Sequence, residues 1–239
     1  MQFKIQAHRG ASGHAPENTL PAFLQARRMG ADGIECDIHL SADGEFMVCH
    51  DETVDRTSNG HGKISELTVA ELKKLDFGSW YGPEFERTRI PTLDEMLDVV
   101  SGMEIINIEV KSFGNSPAEA IDRFHAILSG RKVLKNVIIS SFHIELLKEM
   151  KERHPDFYTA YLYEGKREKG VLLAKEFLCD AIHPYKGDTD EALVSFAREK
   201  GLGINVWTLN EEEEIGRIAR LGVDGVITNY PDRARKVRG

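Results

Sequence analysis

Acidic side chains alternate with apolar ones in two short stretches of the sequence. Glu35 and Asp37 lie two apart in residues 33–39, and Glu109 has a similar place in residues 104–111. Side chains two apart on a β-strand share a face, and neighbouring carboxylates repel each other unless a cation is supplied. An exposed polar strand face would give the same local pattern, but its repetition favours a site. Three carboxylates offer only oxygen donors, which suit a hard divalent ion such as Mg²⁺ or Ca²⁺ rather than zinc.

Histidines and basic residues end the same group of predicted strands. His8 and Arg9 end the first strand, His50 ends the stretch 45–50, and Lys111 follows Glu109 by two residues. Two histidines can provide an acid and a base near neutral pH. Arginine and lysine provide fixed positive charge, and arginine can bind a phosphate through two hydrogen bonds. Together these residues predict a site for a divalent ion and an anion, with acid–base groups beside them.

Alternating strands and helices must position these residues. Predicted strands cover residues 2–8, 33–39, 104–111, 137–141, 158–163, 180–184, 204–208 and 225–228. Predicted helices cover a stretch that reaches Met29 after an Asn18-Thr19 cap, and residues 69–75, 117–128, 144–154, 170–177, 189–200 and 211–221. This alternation is typical of a mostly parallel sheet with helices outside it. Eight such strands predict an α/β fold of the (β/α)8 TIM-barrel type. The chain of 239 residues is long enough for one such domain, which we predict spans residues 1–239.

A ninth candidate strand, residues 45–50, follows the second strand after a very short link. Such a link joins antiparallel neighbours but not parallel ones, so we predict a hairpin that carries His50 back toward Glu35 and Asp37. Residues 51–92 then depart from the alternation, because they are rich in turns and aromatic residues. A connection this long, with a short helix and aromatic residues of its own, is usually functional.

Eight motifs carry a family resemblance along nearly the whole chain. They are His8-Arg9-Gly10, Pro16-Glu17-Asn18-Thr19, Gly33-Ile34-Glu35-Cys36-Asp37, Ser41-Ala42-Asp43-Gly44, His50-Asp51, Glu109-Val110-Lys111, Val206-Trp207-Thr208-Leu209-Asn210 and Gly222-Val223-Asp224-Gly225-Val226-Ile227-Thr228-Asn229. In this order and spacing the chain resembles the glycerophosphodiester phosphodiesterases. The resemblance implies hydrolysis of small glycerophosphodiesters to sn-glycerol 3-phosphate and an alcohol.

The predicted site residues fall into three groups. The catalytic pair is His8 and His50; the substrate- and phosphate-binding residues are Arg9, Lys111 and Trp207; the ligands of Mg²⁺, Ca²⁺ or Mn²⁺ are Glu35, Asp37 and Glu109. Trp207 could equally belong to the barrel core, and the resemblance favours substrate contact. The resemblance also implies that residues 51–92 are a small inserted subdomain after the hairpin, which lies over the barrel mouth and helps to form the substrate pocket. Similar enzymes are thought to form a cyclic phosphate with a substrate hydroxyl. The sequence does not distinguish this route from direct attack by water, and it does not show which histidine is the acid and which is the base.

Composition restricts partners and location. A net charge of −8 without a basic stripe argues against binding to nucleic acid and against an electrostatic hold on an anionic membrane. Three cysteines form no framework or metal spacing, so we expect reduced thiols and a cytoplasmic protein. A leader that had been removed would instead place it in the periplasm or outside the cell. The sequence carries no signal for the oligomeric state.

Two rival functions share the same barrel. A phospholipase-like phosphodiesterase acting on intact or lyso-lipid needs an apolar rim or anchor, and the only aromatic cluster, within residues 77–85, is interrupted by acidic residues. A barrel that binds phosphodiesters or metal without turnover would be expected if His8 or His50 were missing, and both are present.

Overall fold

The computed structural model describes residues 2–114 and 117–239. Its strands are β1 (Lys4–His8), β2 (Gly33–Leu40), β3 (Phe46–Val48), β4 (Ile105–Val110), β5 (Val137–Ser141), β6 (Thr159–Tyr163), β7 (Ala181–Pro184), β8 (Gly203–Val206) and β9 (Gly225–Thr228). Its α-helices are α1 (Leu20–Arg28), α2 (Val69–Leu72), α3 (Leu93–Val100), α4 (Pro117–Gly130), α5 (Ile144–Arg153), α6 (Arg167–Glu176), α7 (Glu191–Glu199), α8 (Glu212–Arg220) and α9 (Pro231–Arg238).

Eight parallel strands close into a barrel, as predicted. Their order is β1-β9-β8-β7-β6-β5-β4-β2, and a pairing between β1 and β2 closes the ring. β3 is the predicted return arm of a hairpin, antiparallel to β2, with Ile38 opposite Val48. The chain is therefore a (β/α)8 TIM barrel with one additional strand.

The register of β2 against its neighbours determines which polar residues meet. His8 of β1 lies opposite Glu35, and Asp37 lies opposite Glu109 of β4. Beyond β3, the backbone N–H of Cys49 donates to the carbonyl oxygen of Asp37 at 3.0 Å. This bond extends the hairpin by one residue, so the next one, His50, begins its loop at the level of the acidic residues.

The two faces of the barrel strands have different chemistry. Apolar strand residues such as Ile34, Ile38 and Ile106 are buried in one core cluster with helix residues such as Phe23 and Leu97. They are the alternate positions predicted from the period-2 pattern. This layer between sheet and helices is the main hydrophobic core.

The barrel interior, in contrast, contains hydrogen-bonded polar side chains. The side-chain amide of Asn107 donates to Oε1 of Gln6 at 3.1 Å, and the hydroxyl of Ser140 donates to Oδ1 of Asn107 at 2.9 Å. On the other side of the ring, Nδ2 of Asn205 lies 3.0 Å from Nε2 of His183. Burial lowers the pKa of His183 to about 3, so its imidazole is neutral. These buried groups form a polar layer in the barrel.

Several element boundaries differ from those predicted. α3 was not predicted, although Thr92 and Glu95 form a capping box in which each side chain accepts from the other residue's backbone N–H, at 3.2 and 2.8 Å. α6 begins three residues before the predicted start at Gly170. Gly170 therefore lies inside the helix, where close packing favours glycine because a Cβ would be 2.5 Å from the ring of Tyr163. β8 ends at Val206, which leaves Trp207 outside the strand.

Residues 51–92 surround a second, smaller hydrophobic cluster. Its buried members are Met47, Cys49, Val54, Ile64, Leu72, Phe77 and Ile90. The helix predicted at residues 69–75 is α2, which is shorter and ends at Leu72.

The three cysteines carry free, buried thiols. Across residues 2–114 and 117–239, the helices are too short or too polar to cross a bilayer.

The contact between β2 and β4 predicts a sensitive position. A Cβ at Gly33 would lie 2.3 Å from the backbone carbonyl oxygen of Ile105, which cannot move without disturbing the barrel. We expect Gly33→Ala to destabilise the fold by about 1–3 kcal/mol, the usual cost of overpacking. Thermal unfolding measures this as a fall in Tm of about 2–4 °C per kcal/mol.

Gly130, the last residue of α4, is the matched control. A Cβ there would have no neighbour within 4 Å, so Gly130→Ala should be neutral or stabilising by at most about 1 kcal/mol. Equal Tm values for Gly33→Ala and the wild type would contradict the predicted packing at the β2–β4 contact.

Candidate active site

The eight residues predicted for the site meet at the C-terminal ends of the barrel strands. A cavity of about 130 Å³ is lined by six of them, namely His8, Arg9, Glu35, His50, Glu109 and Trp207. The other two, Asp37 and Lys111, lie beside it, with Nζ of Lys111 2.8 Å from Oδ1 of Asp37. This is the edge at which TIM barrels bind their ligands.

The three carboxylates form a compact, buried cluster. Glu35, Asp37 and Glu109 are 4%, 1% and 7% exposed, and one oxygen from each lies within 4.8 Å of the other two. Burial and the neighbouring carboxylates raise the pKa of Glu35 well above its usual range and that of Glu109 to about 7. Burial also opposes ionisation of Asp37, but Lys111 and Arg9 hold the pKa of that carboxyl below its usual value. The fold therefore concentrates more negative charge than it neutralises.

This donor set fits a hard divalent cation. It consists only of carboxylate oxygens, and within the described residues Arg9 and Lys111 are the cations that contact it. Two positive charges face three carboxylates, so an added cation would favour the ionised form of all three. Glu35, Asp37 and Glu109 could therefore hold Mg²⁺, Ca²⁺ or Mn²⁺.

Arg9 and Lys111 connect the carboxylates to each other and to the surrounding loops. Nε of Arg9 lies 3.5 Å from Asp37, its Nη1 donates to Glu17 at 2.8 Å, and its backbone N–H donates to Glu35 at 2.9 Å. The ammonium group of Lys111 bridges Asp37 and Glu109. Burial disfavours both cations, but the carboxylates outweigh it and raise the pKa of each. Both residues therefore remain positively charged.

His8 is held in one orientation by an amide. Its Nδ1 lies 2.6 Å from Oδ1 of Asn229, and its Nε2 lies 4.0 Å from Glu35. Burial, with a further contribution from Arg9, lowers the pKa of His8 to about 4. With an amide oxygen as acceptor, Nδ1 carries the proton, and Nε2 keeps a lone pair beside the carboxylates.

His50 has a carboxylate partner instead. Its Nδ1 lies 2.7 Å from Asp51, whose other oxygen accepts from Nε of Arg56 at 2.6 Å. Arg56 also donates to both oxygens of Glu17, at 2.8 and 2.9 Å. Burial lowers the pKa of His50, while Asp37 and Asp51 favour its protonated form. The two histidines therefore differ in the charge of their hydrogen-bond partners.

Sequence reasoning assigned no role to several residues that orient the site. Glu17, Asp51 and Asn229 stand in the quoted motifs, which was the available signal. Asn18, predicted with Thr19 as a helix cap, instead donates from Nδ2 to Asp37 at 2.7 Å, and Thr19 alone caps α1. No sequence signal indicated Arg56, because its partners lie in separate segments of the chain.

Aromatic residues line one side of the cavity mouth. The indole N–H of Trp207 donates to the backbone carbonyl of His183 at 2.7 Å, which fixes the ring. Phe142 and Tyr185 meet the indole in edge-to-face contacts at 5.6 and 5.5 Å. Phe142 lines the cavity although it is 43% exposed, and the sequence reasoning missed it. The mouth therefore has an apolar wall opposite a charged one.

Comparisons with known proteins point to one family. Residues 8–233 match the model of the glycerophosphoryl diester phosphodiesterase family. A glycerophosphodiester phosphodiesterase of Caldanaerobacter subterraneus is 36% identical over 97% of this chain and 96% of its own length.

Solved structures show the same similarity. A phosphodiesterase of Oleispira antarctica in complex with the product sn-glycerol-3-phosphate has a TM-score of 0.90 at 30% identity, covering 99% of this chain and 97% of that one. A glycerophosphodiester phosphodiesterase of Thermotoga maritima is 34% identical with a TM-score of 0.79, covering 100% and 98%. The chain belongs to the glycerophosphoryl diester phosphodiesterase family.

Proposed function

We propose that this enzyme hydrolyses small, soluble glycerophosphodiesters to sn-glycerol 3-phosphate and an alcohol, and that it requires a divalent metal ion. The observation that carries the proposal is the cluster of three buried carboxylates, which adjoins two cations and two differently partnered histidines in one cavity. The similar Oleispira antarctica phosphodiesterase, whose structure contains sn-glycerol-3-phosphate, supports the choice of product.

The charged residues would bind and orient the phosphate. Glu35, Asp37 and Glu109 would hold Mg²⁺, Ca²⁺ or Mn²⁺, and the bound ion would polarise a phosphoryl oxygen and stabilise its charge. Arg9 and Lys111 add two fixed positive charges at the same place, where burial strengthens their effect on developing negative charge. Trp207 and Phe142 would contact the carbon atoms of the substrate.

The two histidines would divide proton transfer between them. His8, neutral and with a free Nε2, would accept the proton of the attacking hydroxyl, whether that hydroxyl belongs to the substrate or to water. As the new O–P bond forms and the bond to the leaving alcohol breaks, His50 would donate a proton to that alcohol. Attack by a substrate hydroxyl would leave a cyclic phosphate, which water would open in a second step: His50 would take the proton of the water, and His8 would return its proton to the departing hydroxyl oxygen. Asp51 would stabilise the imidazolium of His50 before the transfer.

The cavity favours a soluble substrate over a lipid. Its volume of about 130 Å³ is below the roughly 300–1,000 Å³ that is usual for pockets of drug-sized ligands. We further propose that residues 51–92 form an inserted subdomain that completes the pocket through Asp51 and Arg56. In that segment Trp80 is exposed and its ring meets Tyr81, which in turn meets Phe85, and the acidic Glu84 and Glu86 flank Phe85 in the sequence.

Metal removal tests the carboxylate cluster. Turnover of glycerophosphocholine should vanish in EDTA and return with Mg²⁺, Ca²⁺ or Mn²⁺, because the proposed ligands are hard oxygen donors. Glu109→Gln should raise the metal concentration for half-maximal activity by about tenfold or more, since it removes one charged ligand. Glu119→Gln, an exposed position on α4, is the control and should leave it unchanged. Full activity after exhaustive chelation would contradict the proposal.

Substitution of the histidines tests the acid–base roles. His8→Ala and His50→Ala should each lower kcat by about a hundredfold or more, the usual size of a lost acid or base. His61→Ala is the matched control, because the side chain of His61 is 87% exposed on the 51–92 segment, and its kcat should match the wild type. Steady-state kinetics with circular dichroism as a folding check measures this. Normal turnover in either catalytic variant would show that another residue transfers the proton.

A substrate panel tests the size of the site and the route of attack. Glycerophosphocholine and glycerophosphoethanolamine should be hydrolysed at comparable rates, and lysophosphatidylcholine vesicles slowly, because the cavity is small and the aromatic residues of the 51–92 segment lie among charged ones. A coupled assay for glycerol 3-phosphate and an assay for free choline measure the products. Faster hydrolysis of the vesicles would favour the phospholipase-like function instead. Strong activity on bis(p-nitrophenyl) phosphate would show that water attacks without help from a glycerol hydroxyl.

A further inference from the structure

One arginine joins two separate loops beside the catalytic cavity. Arg56 lies in the segment 51–92, and its guanidinium group contacts Asp51 of that segment and Glu17 of the loop between β1 and α1. Nε and Nη2 donate to the two oxygens of Asp51 at 2.6 and 3.1 Å. Nη1 and Nη2 donate to the two oxygens of Glu17 at 2.9 and 2.8 Å. Each carboxylate is therefore bound through two hydrogen bonds, which fix its plane as well as its position.

Glu17 anchors this arginine to the barrel. The side chain of Glu17 is 14% exposed, and its Oε1 also accepts from Nη1 of Arg9 at 2.8 Å. Burial opposes ionisation of Glu17, but Arg56 and Arg9 outweigh it and lower the pKa of that carboxyl. Arg9 directly follows β1, so the carboxylate is fixed beside a strand end. Arg56 is therefore held in place by a residue outside its own segment.

Asp51 connects Arg56 to His50. Oδ1 of Asp51 lies 2.7 Å from Nδ1 of His50 and also accepts from Arg56. Hydrogen bonds from Arg56 outweigh the effect of burial and lower the pKa of Asp51 to about 2, so its carboxylate is ionised. An ionised acceptor keeps the proton on Nδ1, which leaves Nε2 to exchange a proton with a substrate in the cavity that His50 lines. The orientation of the ring therefore depends on a carboxylate that Arg56 holds.

We propose that Arg56 is a positioning residue for proton transfer, which acts on His50 through Asp51. This inference rests on the acid role proposed for His50. The hydrogen bonds of Arg56 hold the carboxylate of Asp51 in the orientation that directs the ring, and its positive charge offsets the negative charge of Asp51. Without that positive charge, Asp51 would stabilise the imidazolium more strongly, and His50 would be a weaker acid toward the leaving alcohol.

Two substrates with the same glycerol end test this role. Glycerophosphocholine releases an alcohol that must be protonated, whereas the p-nitrophenyl ester of glycerol 3-phosphate releases p-nitrophenolate, a stable anion that needs no acid. With the Mg²⁺-loaded enzyme in excess, rapid mixing measures the release of choline or of p-nitrophenol in a single turnover.

Arg56→Ala should affect the two releases differently. Choline release should slow by about tenfold or more, since misplacing a reacting group by about 1 Å can cost about a hundredfold. Release of p-nitrophenol should slow by no more than about twofold, because that step does not use the acid. Partly unfolded enzyme would slow both releases equally, so the ratio of the two losses does not depend on the folded fraction.

His50→Ala is the reference that separates failure of this inference from failure of the proposed acid role. It should slow choline release and largely spare p-nitrophenol release. If His50→Ala is selective in this way but Arg56→Ala slows both releases equally, or neither, the positioning role is overturned. Equal losses with both substrates in His50→Ala would overturn the acid role of His50, and with it the role of Arg56.

Two further variants control for charge and for location. Arg56→Lys keeps the charge but lacks the planar group that binds two carboxylates at once, so it should recover only part of the choline release. Wild-type release in Arg56→Lys would overturn the role of the hydrogen bonds. Arg87→Ala is the matched control, because Arg87 belongs to the same segment and its side chain is 83% exposed. Both releases should match the wild type there, and a selective loss like that of Arg56→Ala would overturn the assignment to Arg56.

Discussion

The burial of three carboxylates beside one another, and their mutual repulsion, is the constraint around which this barrel is organised. Without nearby cations, these three carboxylates would tend to be protonated. The raised pKa values of Glu35 and Glu109 reflect that tendency. Arg9 and Lys111 stabilise the ionised form mainly of Asp37, the residue that both of them contact. The remaining excess of negative charge is what makes the cavity suited to a cation, and the fixed cations make it suited to a phosphate.

The register of the parallel strands, rather than contacts between loops, brings the carboxylates and His8 together. Parallel pairing sets Asp37 against Glu109 and His8 against Glu35, so side chains from different strands reach the same height. Below them, hydrogen bonds join Gln6, Asn107 and Ser140 across three strands of the barrel. A buried polar layer requires each partner to occupy its place, because an unpaired buried group is costly. The barrel interior below the site is therefore held together by specific hydrogen bonds as well as by packing.

The sequence predicted the barrel well because the information was local. Period-2 alternation in residues 33–39 and 104–111 fixed both the strands and the shared face of Glu35 and Asp37, and a link too short for a crossover predicted the hairpin. Contacts distant in the chain were beyond such reasoning. Asn229 reaches His8 across 221 positions, and Arg56 joins Asp51 to Glu17 from two separate loops. α3 was missed although its Thr92-x-x-Glu95 signature was readable, because residues just before it lacked any periodic pattern.

The hairpin has a consequence for how the protein can vary. His50 is placed by the pairing of Ile38 with Val48 and by the bond from the Cys49 N–H to Asp37, both of which precede residues 51–92. The exposed turns of that segment, away from the residues that pack on β3, can therefore change in length and composition without displacing the imidazole. Asp51 and Arg56 need to be retained, since they connect the segment to the ring nitrogen and to Glu17. The apolar residues of the segment that bury Met47 and Cys49, such as Val54 and Ile64, need to be retained as well. These turns can vary while His8 and His50 stay in place at the ends of their strands.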